Sequence, residues 1–96
     1  MGTLVILEAI AKTESVRELE DFLKRHLPDT RSYDGCQEIT SYLNEDGKTV
    51  VIVEHWDSKE DYQKYLAWRE ETGVFADLGA MLDREPTIRF FDAIDA

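Results

Sequence analysis

Glu8 is the first side chain in this sequence that invites chemistry. It stands in residues 3–11 (TLVILEAIA), a run otherwise nearly continuous in apolar residues. On period-2 alternation it shares a face with Leu4, Ile6 and Ile10. A carboxylate in such surroundings is either paired or held with a raised pKa. In the second case it can serve as a general base or bind a hydroxyl group. His55 is another candidate base, since imidazole titrates near neutral pH. Alternation, though, puts His55 on the face opposite Glu54 and Trp56. If Trp56 faces the interior, His55 faces away from it. Tyr42, Trp56, Tyr65, Trp68, Phe75, Phe90 and Phe91 supply aromatic surface enough to line a slot for a flat apolar molecule. Aromatic stripes at these spacings serve equally well as plain core. Tyr65 is the first choice among them for a side chain that touches a ligand.

Other reactive residue types have simpler explanations. His26 falls where a helix ends, and a cation there suits the helix dipole. Cys36 reads as a small buried hydrophobe with no nearby charge cluster to lower its pKa. Two scattered histidines and one cysteine lack metal-ligand spacing, so no metal site is expected. No phosphate loop or dinucleotide fingerprint is present.

The elements that must position these groups follow from periodicity. Residues 3–11 read as a strand covered on both faces. Ser15 with Glu18 forms a capping box. Val16, Leu19, Phe22, Leu23, His26 and Leu27 then recur at helical spacing, and Pro28 marks the helix end. Cys36–Leu43 (CQEITSYL) alternates and reads as a half-buried strand. Asn44 to Gly47 is a hairpin turn leading into Thr49–Trp56 (TVVIVEHW). Ser58 and Asp61 signal a second helix, with Tyr62, Tyr65, Leu66 and Arg69 on one stripe. Gly73 interrupts it. Residues 74–82 form a short extra helix before Pro86, and residues 87–93 (TIRFFDA) a last strand.

The order β-α-β-β-α-β is the split, ferredoxin-like α+β arrangement. Residues 1–96 read as one domain. The antiparallel sheet carries helices on one face and leaves the other bare. That bare face carries Val, Ile and Phe, which predicts a homodimer through the sheet. The first and last strands lie close in this arrangement, making Arg89 a possible partner for Glu8.

Composition narrows the function classes. The sequence holds 11 Lys and Arg against 21 Asp and Glu, a formal net charge of -10. Such a surface repels phosphate backbones and anionic membranes, so neither nucleic acid nor membrane is expected as a partner. The single cysteine and the lack of a signal-peptide pattern suggest the cytoplasm. No apolar run approaches the roughly 20 residues needed to span a bilayer.

Several short motifs together resemble a known family. They are Arg31, Gly35 and Cys36 (Arg-x-x-x-Gly-Cys), Glu54 and Trp56 (Glu-x-Trp), Trp56, Ser58 and Glu60 at the second helix, and Val74-Phe75 before the short helix. In order and spacing the chain resembles the antibiotic biosynthesis monooxygenases of the dimeric α/β-barrel superfamily. The resemblance implies a pocket between sheet and helices. There a small aromatic or polycyclic phenol or quinol would be oxidised by O2 with no cofactor. For such a pocket the candidate catalytic residues are Glu8, Tyr65 and His55, and the candidate substrate contacts are Ile6, Tyr42, Trp56, Trp68, Phe75, Arg89 and Phe91. A heme-degrading branch of the superfamily is not matched, because Ile6, Tyr65 and Gly79 stand at its Asn, Trp and His positions. Two alternatives stay open: a non-oxidative isomerase or lyase on the same scaffold, and a ligand-binding dimer without chemistry.

Overall fold

Four segments rich in aliphatic or aromatic side chains become strands, two of them (TLVILEAI and TVVIVEHW) nearly continuous in apolar residues. The structure, a computed structural model, describes residues 2–96. Its elements are β1 (Thr3–Ile10), a 3-10 turn (Thr13–Ser15), α1 (Val16–Arg31), β2 (Cys36–Leu43), β3 (Thr49–Trp56), α2 (Lys59–Thr72), α3 (Val74–Ala80) and β4 (Thr87–Asp92). The sheet order is β2-β3-β1-β4, with every pairing antiparallel. This is the expected split β-α-β-β-α-β arrangement.

Register decides which side chains can meet. Thr3, Val5, Leu7 and Ala9 of β1 are buried, whereas Leu4, Ile6, Glu8 and Ile10 are only half-buried. On β3, Val50, Ile52, Glu54 and Trp56 are buried and His55 is exposed. Antiparallel partners share a face, and Val5 pairs with Glu54 while Leu7 pairs with Ile52. The buried set therefore forms one side of the sheet, under the helices. Two apolar clusters fill that layer. The larger contains Leu7, Leu19, Phe22, Leu23, Ile52 and Leu78. The smaller is Val5, Trp56, Tyr62 and Tyr65. Contrary to the expectation for residues 3–11, the helices cover β1 on one face only.

The helix ends carry two further corrections. Ser15 makes no side-chain cap bond; it lies in the 3-10 turn with φ −109° and ψ 3°, away from the extended geometry a cap needs. Nor does Pro28 end α1, which runs on to Arg31 with the proline inside. Proline removes one N–H, yet its φ is helical. The turn that follows is held from outside by Arg69, described below. The cap on α2 is as expected: Ser58 Oγ accepts from Asp61 N at 3.1 Å.

Gly35 makes the link from α1 to β2. Its φ is +96°, and a Cβ there would lie 2.8 Å from the Asp61 Cβ. Its carbonyl accepts from Asp57 N at 2.8 Å, so the backbone cannot easily withdraw. Gly35→Ala is expected to cost about 2 kcal/mol or more from backbone strain plus this clash. Urea denaturation checks it, and a loss under half that size would mean that the loop re-forms.

Candidate functional site

Six elements meet between the two apolar clusters, β2 through Ile39 alone, and a cavity of about 60 Å³ remains there. α1 contributes Phe22, Leu23, His26, Leu27 and Thr30; β1 and β3 contribute Leu7, Ile52 and Glu54; α2 contributes Tyr62, Tyr65, Leu66 and Arg69. Val74, Phe75 and Leu78 of α3 close it. Gly73, left-handed at φ +85°, turns the chain from α2 into α3 and sets that closure. Most of the lining is apolar, and the polar groups that remain, the Tyr62 hydroxyl apart, belong to two sets.

The first set is Glu54 with Trp56. Glu54 is 3% exposed, and its neighbours on that strand face are Ile52 and Trp56. Its carboxylate Oε1 accepts from Trp56 Nε1 at 2.9 Å. Burial pushes the carboxyl up from the usual range to about 7, against the indole hydrogen bond, which favours the charged form. A group so placed exchanges its proton at neutral pH. Removing the donor in Trp56→Phe should raise the Glu54 pKa further, by roughly one unit for a single lost hydrogen bond. Carboxyl NMR titration would read the shift, and an unchanged midpoint would mean that the bond adds nothing.

The second set centres on Arg69, which is 5% exposed. Its Nε donates to Tyr65 Oη at 2.9 Å, and Nη2 donates to the His26 carbonyl at 2.8 Å and to Thr30 Oγ1 at 3.0 Å. Tyr65 Oη and Thr30 Oγ1 lie 2.5 Å apart, either able to donate. Burial pushes the Tyr65 phenol above its ordinary pKa. The Arg69 guanidinium lies against the Trp68 ring at 4.5 Å, and Trp68 stacks on Tyr33. His26 packs on Phe22 with ring centroids 4.5 Å apart, and burial pushes its pKa down.

The structure divides the sequence-predicted residues between two sides of the sheet. Tyr65 and Phe75 line the cavity. Trp56 supports it through Glu54, and Trp68 through Arg69. Ile6, Glu8, His55, Tyr42, Arg89 and Phe91 do not join them, because strand alternation puts them on the face away from the helices. Tyr42 is 58% exposed and Phe91 41%. Glu8 meets Arg89 at 3.7 Å, a diagonal cross-strand pair, since Arg89 sits opposite Ile6. Half-exposed as it is, this pair contributes little to stability. His26 lies a full turn inside α1, so the helix-end explanation for it fails. The residues sequence reasoning passed over are Glu54, Arg69 and Thr30. Two signals were there: Glu54 alternates with Val50 and Ile52, and Arg69 sits on the Tyr62–Tyr65–Leu66 stripe.

Comparison with known proteins supplies context for this geometry. The sequence profile described as antibiotic biosynthesis monooxygenase matches residues 3–70. No curated protein matches the chain. Among solved structures, Rv0793 from Mycobacterium tuberculosis is 21% identical with a TM-score of 0.87, covering 100% of this chain and 98% of that one. The monooxygenase ActVA-Orf6 of Streptomyces coelicolor, in complex with nanaomycin D, is 18% identical with a TM-score of 0.82, covering 99% and 89%. SnoaB from Streptomyces nogalater, a cofactor-independent oxygenase, is 14% identical with a TM-score of 0.83, covering 99% and 95%. At these identities the likeness is one of fold. Among the described residues no helix is long and apolar enough to cross a membrane.

Proposed function

The chain belongs to the antibiotic biosynthesis monooxygenase family, and from that premise we propose that it oxidises a small hydroxylated aromatic with O2, using no cofactor, in the cavity between sheet and helices. The observation that carries this reading is Glu54, a buried carboxyl titrating near 7 in an apolar, aromatic-lined cavity. The activities named for ActVA-Orf6 and SnoaB support it at the level of the shared fold.

The chemistry balances without a further reductant. Glu54 takes the hydroxyl proton, and the phenolate passes one electron to O2. The resulting radical and superoxide join in a C–O bond at an activated ring carbon. Glu54 returns its proton to the peroxide, then accepts the proton of that ring carbon as the O–O bond breaks. The departing hydroxide takes this proton and leaves as water. In sum a phenol and O2 give a quinone and water, four electrons passing from ring to oxygen. The protein supplies a base, an apolar slot and exclusion of water. Tyr65 and Phe75 would contact the ring, with Trp56 and Trp68 behind them.

Access to the cavity requires movement. A cavity of about 150 Å³ accommodates a benzene ring, and this one holds about 60 Å³. α3, which contributes Phe75 and joins α2 at Gly73, is the short element that would have to shift. The same volume favours a second reading, a dimer that binds a small ligand without chemistry. In either case two copies would pair through the open sheet face, covering Ile6, Val51, Val53 and Phe91, with Glu8, Arg89 and His55 at that interface.

Oxygen uptake by purified, metal-free protein tests the proposal, with a panel of naphthols, anthrones and quinols. Wild type is compared with Glu54→Gln, Tyr65→Phe and Glu8→Gln. Saturable uptake that falls with Glu54→Gln supports the reading. Uptake that falls with Glu8→Gln alone would move the chemistry to the sheet face. Turnover that persists without O2 would favour an isomerase, and no turnover by a folded dimer would favour the binding reading.

A further inference from the structure

Arg69 is a buried cation whose charge the protein leaves unanswered. Every acceptor it meets is neutral: the Tyr65 hydroxyl, the Thr30 hydroxyl and the His26 carbonyl. Among the described residues no carboxylate comes within ion-pair distance of it, the one such pair being Glu8 with Arg89. Glu54 lines the same cavity from β3, yet stands beyond that distance. The Trp68 ring attracts the guanidinium without neutralising it. A buried unpaired charge is costly, and proteins that keep one usually complete it with a ligand or a partner charge. Tying α1 to α2 accounts for Nε and Nη2. It leaves out Nη1, which makes none of these bonds and borders open space, since among the described residues Ser41 Oγ is the one fully buried side-chain polar atom without a partner.

We infer that Arg69 receives the ionised oxygen of the bound aromatic, so that the cavity selects ligands that are anionic at neutral pH over neutral ones of the same shape. This rests on the reading above that the cavity takes a hydroxylated aromatic, and it deepens that reading. The guanidinium offers two free N–H groups at Nη1, a donor set suited to a phenolate or carboxylate oxygen. The surface of the chain is strongly acidic. The preference for anions is therefore local to the cavity, where Arg69 is the only cation other than a histidine among the lining residues described.

A coloured phenol that ionises near neutrality reads this directly. 4-Nitrophenol is bound without O2, and its ionisation is followed by visible absorbance against pH. 4-Nitroanisole, which cannot ionise, serves as the neutral probe. Titration is repeated in Glu54→Gln, because Glu54, His26 and Tyr65 face the same cavity and Asp77 lies near His26. The expected result is a bound nitrophenol whose acidity rises at least tenfold and a nitroanisole that binds at least tenfold more weakly. Arg69→Gln should abolish the rise, and Arg69→Lys should keep part of it. A merely structural Arg69 would not move the ligand's ionisation. Equal binding of both probes with no rise in acidity, or a rise unchanged in Arg69→Gln, overturns the inference and leaves the aromatic cavity standing. Failure of both probes to bind folded wild type overturns the cavity reading as well. If Arg69→Gln does not fold, Arg69→Lys and the comparison of the two probes decide.

Discussion

Replacing Glu54 with glutamine is expected to lower oxygen-dependent turnover by roughly 10²–10⁴-fold, the usual contribution of a positioned general base, while making the protein more stable at pH 8. The two effects share one cause. Glu54 is held at about 7 against an ordinary value of 4.5. Below pH 4.5 it is protonated in both folded and unfolded chains and costs nothing. Between 4.5 and 7 the unfolded chain releases the proton while the folded chain keeps it, so stability falls as pH rises. Above 7 the full penalty is present, on the order of 3 kcal/mol for a shift of this size. Glutamine carries no charge and can still accept from Trp56 Nε1. The variant should therefore match wild type near pH 4 and exceed it by up to about 3 kcal/mol at pH 8. Other groups also titrate. The depressed His26 destabilises as pH falls below its ordinary 6.5, and Asp46, held at about 2 by its turn hydrogen bonds, acts only below its ordinary 3.8. Both are common to the two proteins and cancel in the difference. Urea denaturation across pH 4–8 provides the check. A stability difference that does not grow with pH would mean that Glu54 titrates normally.

Arg69→Ala is expected to destabilise the fold by about 3 kcal/mol, since charge-assisted hydrogen bonds to buried acceptors are lost together. For a domain of this size that lowers the melting temperature by more than roughly 10 °C. The loss is not the sum of three bonds, because Tyr65 and Thr30 still hold one another. Tyr65→Phe removes the hydroxyl shared by both partners and should cost about 1–2 kcal/mol. In the double variant the effects should fall short of additive by about 1 kcal/mol, as expected for residues of one network. Strict additivity would show that Arg69 stabilises by packing alone.

How far the sequence reveals this protein depends on the kind of signal. Strands, hairpin and the Ser58 cap are local, written in two to eight consecutive residues, and they appear where alternation and capping place them. Pro28 misleads because the rule that a proline ends a helix is local, whereas the contact that extends α1 comes from Arg69, far along the chain. The lining of the candidate cavity was half legible. Tyr65 and Phe75 announce themselves as aromatics on helices that must cover a sheet. Glu8 drew attention as a carboxylate in an apolar strand, and Glu54 satisfies the same criterion among Val50, Ile52 and Trp56. Choosing between them requires knowing which face of each strand meets the helices. β1 is apolar on both faces, so its pattern contains no such information. A shift of one residue in the assumed face exchanges the pocket for the sheet's outer side.

The proline inside α1 has a consequence for how the molecule breathes. Pro28 offers no amide hydrogen to the turn before it, and the His26 carbonyl is claimed by a side chain 43 positions away. The last turn of α1 is thus fastened to α2 as well as by its own bonds, in which Ser32 N and Oγ donate to the Pro28 carbonyl. Amides near residues 30–32 should then exchange with solvent deuterium in step with those of α2, and ahead of the earlier turns of α1. Protein segments often open in such cooperative units. Here the unit would carry Thr30, Tyr65 and Arg69 together, so that one concerted fluctuation unlatches a whole wall of the cavity.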